Sequence, residues 1–383
     1  MSFRHRDASP PRAAIVGCAG TELTAAERES FAAGDPLGFI LFARNVADPR
    51  QLAELCAALR GCVGRADAPI LIDQEGGRVR RLRPPHWRMV PAAGAFGDLH
   101  TRAPRAAIEA ARLAGRLVAV DCLEAGIDVV CAPCADIPIA DGHDVIGDRA
   151  YGRTPATVAA LARAMADGLS ELGAIPVMKH MPGHGRARAD SHHELPVVDA
   201  PLDALEAVDA APFRALADLP WGMTAHVLYT ALDPARPGTV SPAVIGFIRE
   251  RIGFGGVLVS DDLAMQALQG TPPERARAAL AAGCDVALYC NGVLANSIAL
   301  LDAVPPLTAE AAARLARARS QARRRLVPEP ADRVSASRRC HHRSHDSGLG
   351  VLPVCGLGLC VASGVMPLSS LGGARASIAC SDA

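Results

Sequence analysis

Eight short apolar runs recur along the 383 residues, at 13–17, 38–42, 69–73, 128–132, 175–180, 222–226, 256–261 and 285–289. Each is apolar almost throughout rather than alternating, the pattern of a strand buried on both faces. Ala/Leu/Arg-rich stretches of helical character lie between them, near residues 24–33, 48–63, 104–125, 155–172, 202–218, 242–253 and 273–283, with another at 308–326. Eight buried strands alternating with helices predict an α/β fold, a single (β/α)8 TIM-type barrel. A doubly wound open sheet is the alternative, but no glycine-rich nucleotide loop follows the first run. The barrel is expected to occupy residues 1–330. From about Arg333 the chain turns rich in Ser, Cys, His and Gly without an amphipathic period, and 331–383 is expected to be an atypical, disordered extension. Residues 348–374 carry no charge, but their glycines and prolines argue against a membrane-spanning helix.

Half of the residues are hydrophobic and only 3% are aromatic, so the core must be built mainly from Ala, Val, Leu and Ile. Lys and Arg balance Asp and Glu at 40 each, which points away from nucleic acid or an acidic membrane as partner. The apolar run at 13–18 is too short for a secretory signal. The cysteines before residue 300 lie mostly inside apolar runs without framework spacing, as expected of reduced thiols in a cytoplasmic protein.

Polar residues gather at one end of the runs: Asp73, Asp136, Lys179–His180, His226, Asp261–Asp262 and Asn291. Barrels present catalytic groups at the carboxyl ends of their strands. In GVLVSDDLAM the two-residue strand period places Asp261 on the face of Val257 and Val259, with Asp262 opposite. A carboxylate there can be a nucleophile or a metal ligand, or can simply cap the next helix. In KHMPGHGRARADSHH, Asp190 and His192 have the spacing for a carboxylate that orients an imidazole acid/base. An ordinary polar turn accounts for the same residues. A metal cluster of His180, His184, His192, His193 and Asp190 is a third reading, although no zinc signature fits the spacing. Asp73 to Arg81, with paired glycines, can form a fork around substrate hydroxyls or a carboxylate. Cys131 and Cys134 match C-x-x-C but end a strand, and two core thiols explain them better than a redox or zinc site.

Taken in order, IDQEGGRVRR, KHMPGHGRARADSHHELP, MTAHVLY and VLVSDDLAM resemble the β-N-acetylhexosaminidases of glycoside hydrolase family 3. The likeness is to the single-domain NagZ type of bacterial cell-wall recycling. ILFARNVADPRQL, APCADIP and AAGCDVALYCN fit the same family, and the resemblance spans residues 12–327. It implies Asp261 as nucleophile, His192 as acid/base with Asp190 as its partner, and sugar contacts from Asp73, Arg81, Arg149, Lys179 and His180. It also implies a cytoplasmic monomer acting on N-acetylglucosamine-anhydro-N-acetylmuramyl peptides, with no cofactor and no metal. Met181 departs from the family, which usually has Phe there. A β-glucosidase or a glycoside phosphorylase would share the nucleophile. A metal-dependent hydrolase and a non-catalytic sugar-binding protein are readings of a different class.

Overall fold

The computed structural model describes residues 10–140 and 142–326. Eight parallel strands close into a barrel: β1 (Arg12–Gly17), β2 (Pro36–Leu41), β3 (Ile70–Ile72), β4 (Val129–Val130), β5 (Ile175–Met181), β6 (Trp221–Thr224), β7 (Val257–Asp262) and β8 (Val286–Tyr289). Each strand pairs with its chain neighbours, and β8 pairs with β1 to close the ring, Ile15 lying beside Leu288 on one side and Gly38 on the other. The fold is the (β/α)8 barrel that the eight apolar runs predict. The expected extension at 331–383 lies outside the described residues.

Alternate residues of each strand fill the barrel. Ala13 and Ile15, Ile175 and Val177, Val257 and Val259, and Val286 and Leu288 join one interior cluster, whereas Val16, Met178 and Leu258 pack against the surrounding helices. The floor is sealed by the helix Ala309–Leu326, whose Ala311, Leu315 and Ala318 belong to the interior cluster. With so few aromatic rings, shape is filled by branched aliphatics in layers, as barrels of this type require. Helix starts follow from local chemistry. Thr24 and Glu27 bond each other's backbone N–H at 3.0–3.1 Å, and Asp48 and Thr154 each cap a helix that opens with proline.

Two helices were not foreseen from the pattern. Ala93–Arg102 contains Gly94 and Gly97, which read as breakers, yet a side chain at Gly97 would overlap the carbonyl oxygen of Tyr151. Leu294–Ala303 has no side-chain cap and follows β8 directly, so it, and not Ala309–Leu326, is the eighth helix of the ring. The helix expected over 202–218 is broken. Leu205–Asp209 forms a π-helical turn between the helices Leu202–Ala204 and Ala211–Ala215, and that turn buries Asp209 toward the barrel mouth. No helix among the described residues is long and apolar enough to cross a membrane.

The helices Pro104–Glu124 and Pro155–Glu171 pack with backbone against backbone, and a methyl group at Gly168 would overlap the carbonyl of Arg112. Gly168→Ala is expected to lower stability by about 1–3 kcal/mol, despite alanine's better helix propensity. Chemical denaturation of both proteins checks this; an alanine variant as stable as the parent would show that the helix pair can spread freely.

Candidate active site

The carboxyl ends of the strands carry an unbroken alternation of charges, buried at Lys179 and Glu75 and partly buried at the others. After β3 the chain turns back as a short hairpin, Gln74–Gly76 against Val79–Arg80. The Gln74 amide oxygen accepts the N–H groups of Arg81 and Leu82 at 2.8 and 3.0 Å, which returns Arg81 to Asp73 at 3.3 Å. Lys179 continues the inward face of β5 beyond Ile175 and Val177. Its ammonium lies 2.7 Å from both Asp73 Oδ1 and Glu75 Oε1. Glu75 in turn accepts a two-pronged pair from Arg149, at 2.8 and 3.0 Å. The order is Arg81, Asp73, Lys179, Glu75, Arg149. Burial opposes the charges of Asp73, Glu75, Lys179 and Arg149. The neighbouring cations nonetheless hold Asp73 well below the usual carboxylate range and Glu75 at about 2, and the two carboxylates raise Lys179.

His180 stands at the end of this chain. Its Nε2 lies 3.4 Å from Arg149, and its Nδ1 lies 2.7 Å from the fully buried Asp136. Asp136 also accepts the backbone N–H of His180 at 3.2 Å and of His184 at 2.6 Å. Against burial, the His180 ring and the His184 backbone N–H keep it anionic. All five expected sugar-binding residues, Asp73, Arg81, Arg149, Lys179 and His180, therefore share one connected set. Glu75 was missed, although two-residue spacing from Asp73 on an extended chain puts both carboxylates on one face. Asp136 was noticed only as a polar strand end.

Asp261 comes from β7, facing inward above Val257 and Val259 as the strand period predicts, and is 6% exposed. Its N–H donates to the Thr224 hydroxyl at 3.3 Å, and its Oδ1 accepts the N–H of Asp262 at 2.8 Å. Burial alone would raise its pKa; His226, His180 and that N–H bring it below the ordinary value. Asp262 points away, accepts the N–H groups of Ala264 and Cys290, and is pushed up to about 6 by burial. The two adjacent aspartates thus differ sharply in proton affinity. Of the two, Asp261 is the firmer anion.

The loop after β5 brings the remaining pair. Asp190 Oδ1 accepts both the backbone N–H of His192, at 3.0 Å, and its Nδ1–H, at 2.7 Å. A carboxylate only accepts, so Nδ1 carries a proton and Nε2 is the nitrogen that Asp190 leaves unengaged. The His192 ring is half exposed, and its charge acts on Asp261. Arg186 ties the loop to Asp209 at 2.6 Å. Among the described residues the histidines do not converge on a metal site; the one group of ligand atoms close together is Cys134, Asp136 and His180. Cys131 lines the barrel interior, and Cys134 donates its S–H to Asp136 at 3.2 Å. Both are buried free thiols. Met181 is fully buried, its terminal methyl filling the space over Gly222.

The profile for the glycosyl hydrolase family 3 N-terminal domain matches residues 18–323. This chain belongs to glycoside hydrolase family 3. It is 41% identical over 315 residues to a β-hexosaminidase of Aromatoleum aromaticum, covering 80% of this chain and 87% of that one. Over 282 residues it is 42% identical to a β-hexosaminidase of Alkalilimnicola ehrlichii, covering 72% and 80%. The fold superposes on NagZ from Neisseria gonorrhoeae in complex with N-trifluoroacetyl-D-glucosamine, with a TM-score of 0.74, 33% identity and 82% and 94% coverage. The protein is a glycoside hydrolase of the β-hexosaminidase type.

In this family-3 hydrolase the charge chain has a definite pH signature. Glu75 has its carboxyl held to about 2, below its ordinary value of about 4.3, so its pairing stabilises the fold fully above the ordinary value. That contribution is lost as pH falls through about 2. Lys179→Met removes the cation shared by two carboxylates, leaving each with one arginine, and is expected to cost about 1.5–3 kcal/mol at neutral pH. The deficit should shrink toward pH 4 as those carboxylates take up protons. Denaturation at a series of pH values checks the sign; a deficit independent of pH would refute the pairing.

Proposed function

We propose that this protein is a retaining exo-β-N-acetylglucosaminidase, removing terminal β-linked N-acetylglucosamine from muropeptides and related glycosides during peptidoglycan recycling. One observation carries the reading. A buried, anionic Asp261 stands in the barrel mouth together with a half-exposed imidazole whose tautomer Asp190 fixes. The β-hexosaminidase relatives and the N-acetylglucosamine analogue bound by the Neisseria protein support the sugar class.

The reaction runs as a double displacement. Asp261 attacks the anomeric carbon, and the glycosidic bond breaks as a covalent glycosyl-aspartate forms. His192, protonated on both nitrogens, gives its Nε2 proton to the leaving oxygen. It then takes a proton from water, which attacks the same carbon and frees Asp261 with retained configuration. Most retaining glycosidases use two carboxylates. An imidazole is neutral once it has given up its proton, so it never repels the anionic nucleophile across the sugar. Asp73, Arg81, Arg149, Lys179 and His180 hold the sugar. Because the three cations are already paired, they act as oriented hydrogen-bond donors within a nearly neutral cluster. The exposure of His192 leaves the leaving-group side open, which suits a bulky muramyl-peptide aglycone. In this reading residues 1–330 form the whole catalytic domain, working as a cytoplasmic monomer without cofactor or metal.

Asp261→Asn is expected to lower turnover of an aryl N-acetyl-β-glucosaminide by on the order of 10⁴-fold or more while leaving the fold intact. Near-normal turnover would remove Asp261 as nucleophile. The parent protein should prefer this substrate to the aryl β-glucoside, with no rate gain from phosphate. The opposite preference, or a phosphate requirement, would favour the β-glucosidase or phosphorylase reading.

A further inference from the structure

The residue between Asp190 and His192 has a different environment from both. Ser191 is 3% exposed and turned inward, whereas the His192 side chain is 49% exposed. Its hydroxyl lies 3.3 Å from His184 Nε2 and 3.7 Å from the Met265 sulfur, and its carbonyl accepts the N–H of Ala267 at 3.2 Å. His184 opens the same loop. Met265 and Ala267 belong to the segment that leaves β7 directly after Asp261 and Asp262, and the N–H of Met265 bonds the Asp262 carbonyl at 3.1 Å. The buried Ser191 therefore pins the tip of the acid/base loop to the segment that carries the nucleophile.

The proton arrangement follows from the partners. A thioether only accepts, so the Ser191 O–H donates to Met265 and its oxygen receives Nε2–H from His184. His184 is buried, which brings its pKa down to about 4 and keeps the ring neutral, and its Nδ1 lone pair has no partner. His184 is itself fixed through its backbone N–H to Asp136, the same carboxylate that holds His180. A short path of contacts thus joins the sugar platform, the loop tip and the nucleophile strand.

We propose that Ser191 is a positioning residue: its hydroxyl, clamped between His184 and Met265, latches the loop so that His192 meets the glycosidic oxygen above Asp261. The inference rests on the assignment of His192 as acid/base. Neither hydroxyl nor thioether takes part in proton transfer to the substrate. Each is a neutral contact, whereas the same loop is also held by the Arg186–Asp209 ion pair.

The test compares the parent, Ser191→Ala, Met265→Leu and His192→Ala on aryl and alkyl N-acetyl-β-glucosaminides of graded leaving-group pKa, reading kcat/KM, which reports the first displacement. A misplaced acid fails where protonation matters most. Ser191→Ala should lose about 10–100-fold on poor leaving groups and under about threefold on a dinitrophenyl glycoside. Met265→Leu should change in the same direction by less; both variants should stay folded, with Ser191→Ala melting somewhat lower because it leaves the buried His184 N–H unpaired. Hydrogen exchange at residues 186–193 should speed up in Ser191→Ala. A steep leaving-group dependence in His192→Ala with a parent-like one in Ser191→Ala overturns the latch alone. A parent-like dependence in His192→Ala overturns the acid assignment, and the latch with it.

Discussion

Five charges in strict alternation, Arg81, Asp73, Lys179, Glu75 and Arg149, hold the mouth of this barrel together. Taking any one of them out of water alone costs several kcal/mol, and a single buried pair often fails to recover that cost. Alternation changes the balance, because each interior member is flanked by two opposite charges. Lys179 is the pivot: it grows from β5, while its two carboxylates come from the turn after β3 and Arg149 from the loop after β4. Three separate connections are thereby fixed relative to one another. The proposed sugar platform is consequently set before substrate arrives, with two carboxylates offsetting two of its three cations.

The two proposed reacting groups sit on supports of opposite character. Asp261 is on a strand, with its backbone held by Thr224 and its oxygen by the next N–H, so its position is as rigid as the barrel. His192 is on a loop, half exposed, and is tied down by a short set of side-chain contacts. A nucleophile must stay within bonding distance of one carbon through both displacements. An acid that also serves as base must let a leaving group out and a water in between them. The split between strand and loop meets both needs, and it explains why the anion is buried while the imidazole is not.

Much of this was legible in the residues, because buried parallel strands are nearly pure apolar runs and all eight could be placed. The inward direction of Asp261 followed from counting by two along β7. What stayed hidden depended on partners distant in the chain. Glu75 looks like an ordinary charged turn residue until Lys179, from another strand, reaches it at 2.7 Å. Asp136 shows its importance only when two backbone N–H groups and a histidine converge on it. Ser191 and His184 belong to a stretch that invites a metal reading, since four histidines lie close in sequence. In space His180 joins the charge chain, His184 is buried beside Ser191, and His192 pairs with Asp190. The helix at Ala93–Arg102 was masked by glycines whose purpose is close packing, a property that local propensity does not express.

The central claim is that Asp261 becomes covalently attached to the sugar. A fluorinated N-acetylglucosaminyl fluoride, which forms the glycosyl-enzyme quickly and hydrolyses it slowly, allows that bond to be seen by peptide mass spectrometry. The account predicts one sugar per chain, on the peptide that contains Asp261 and localised by fragmentation to that carboxylate. Attachment to Asp262 or elsewhere, or no adduct from an enzyme that releases the inverted anomer, would contradict it.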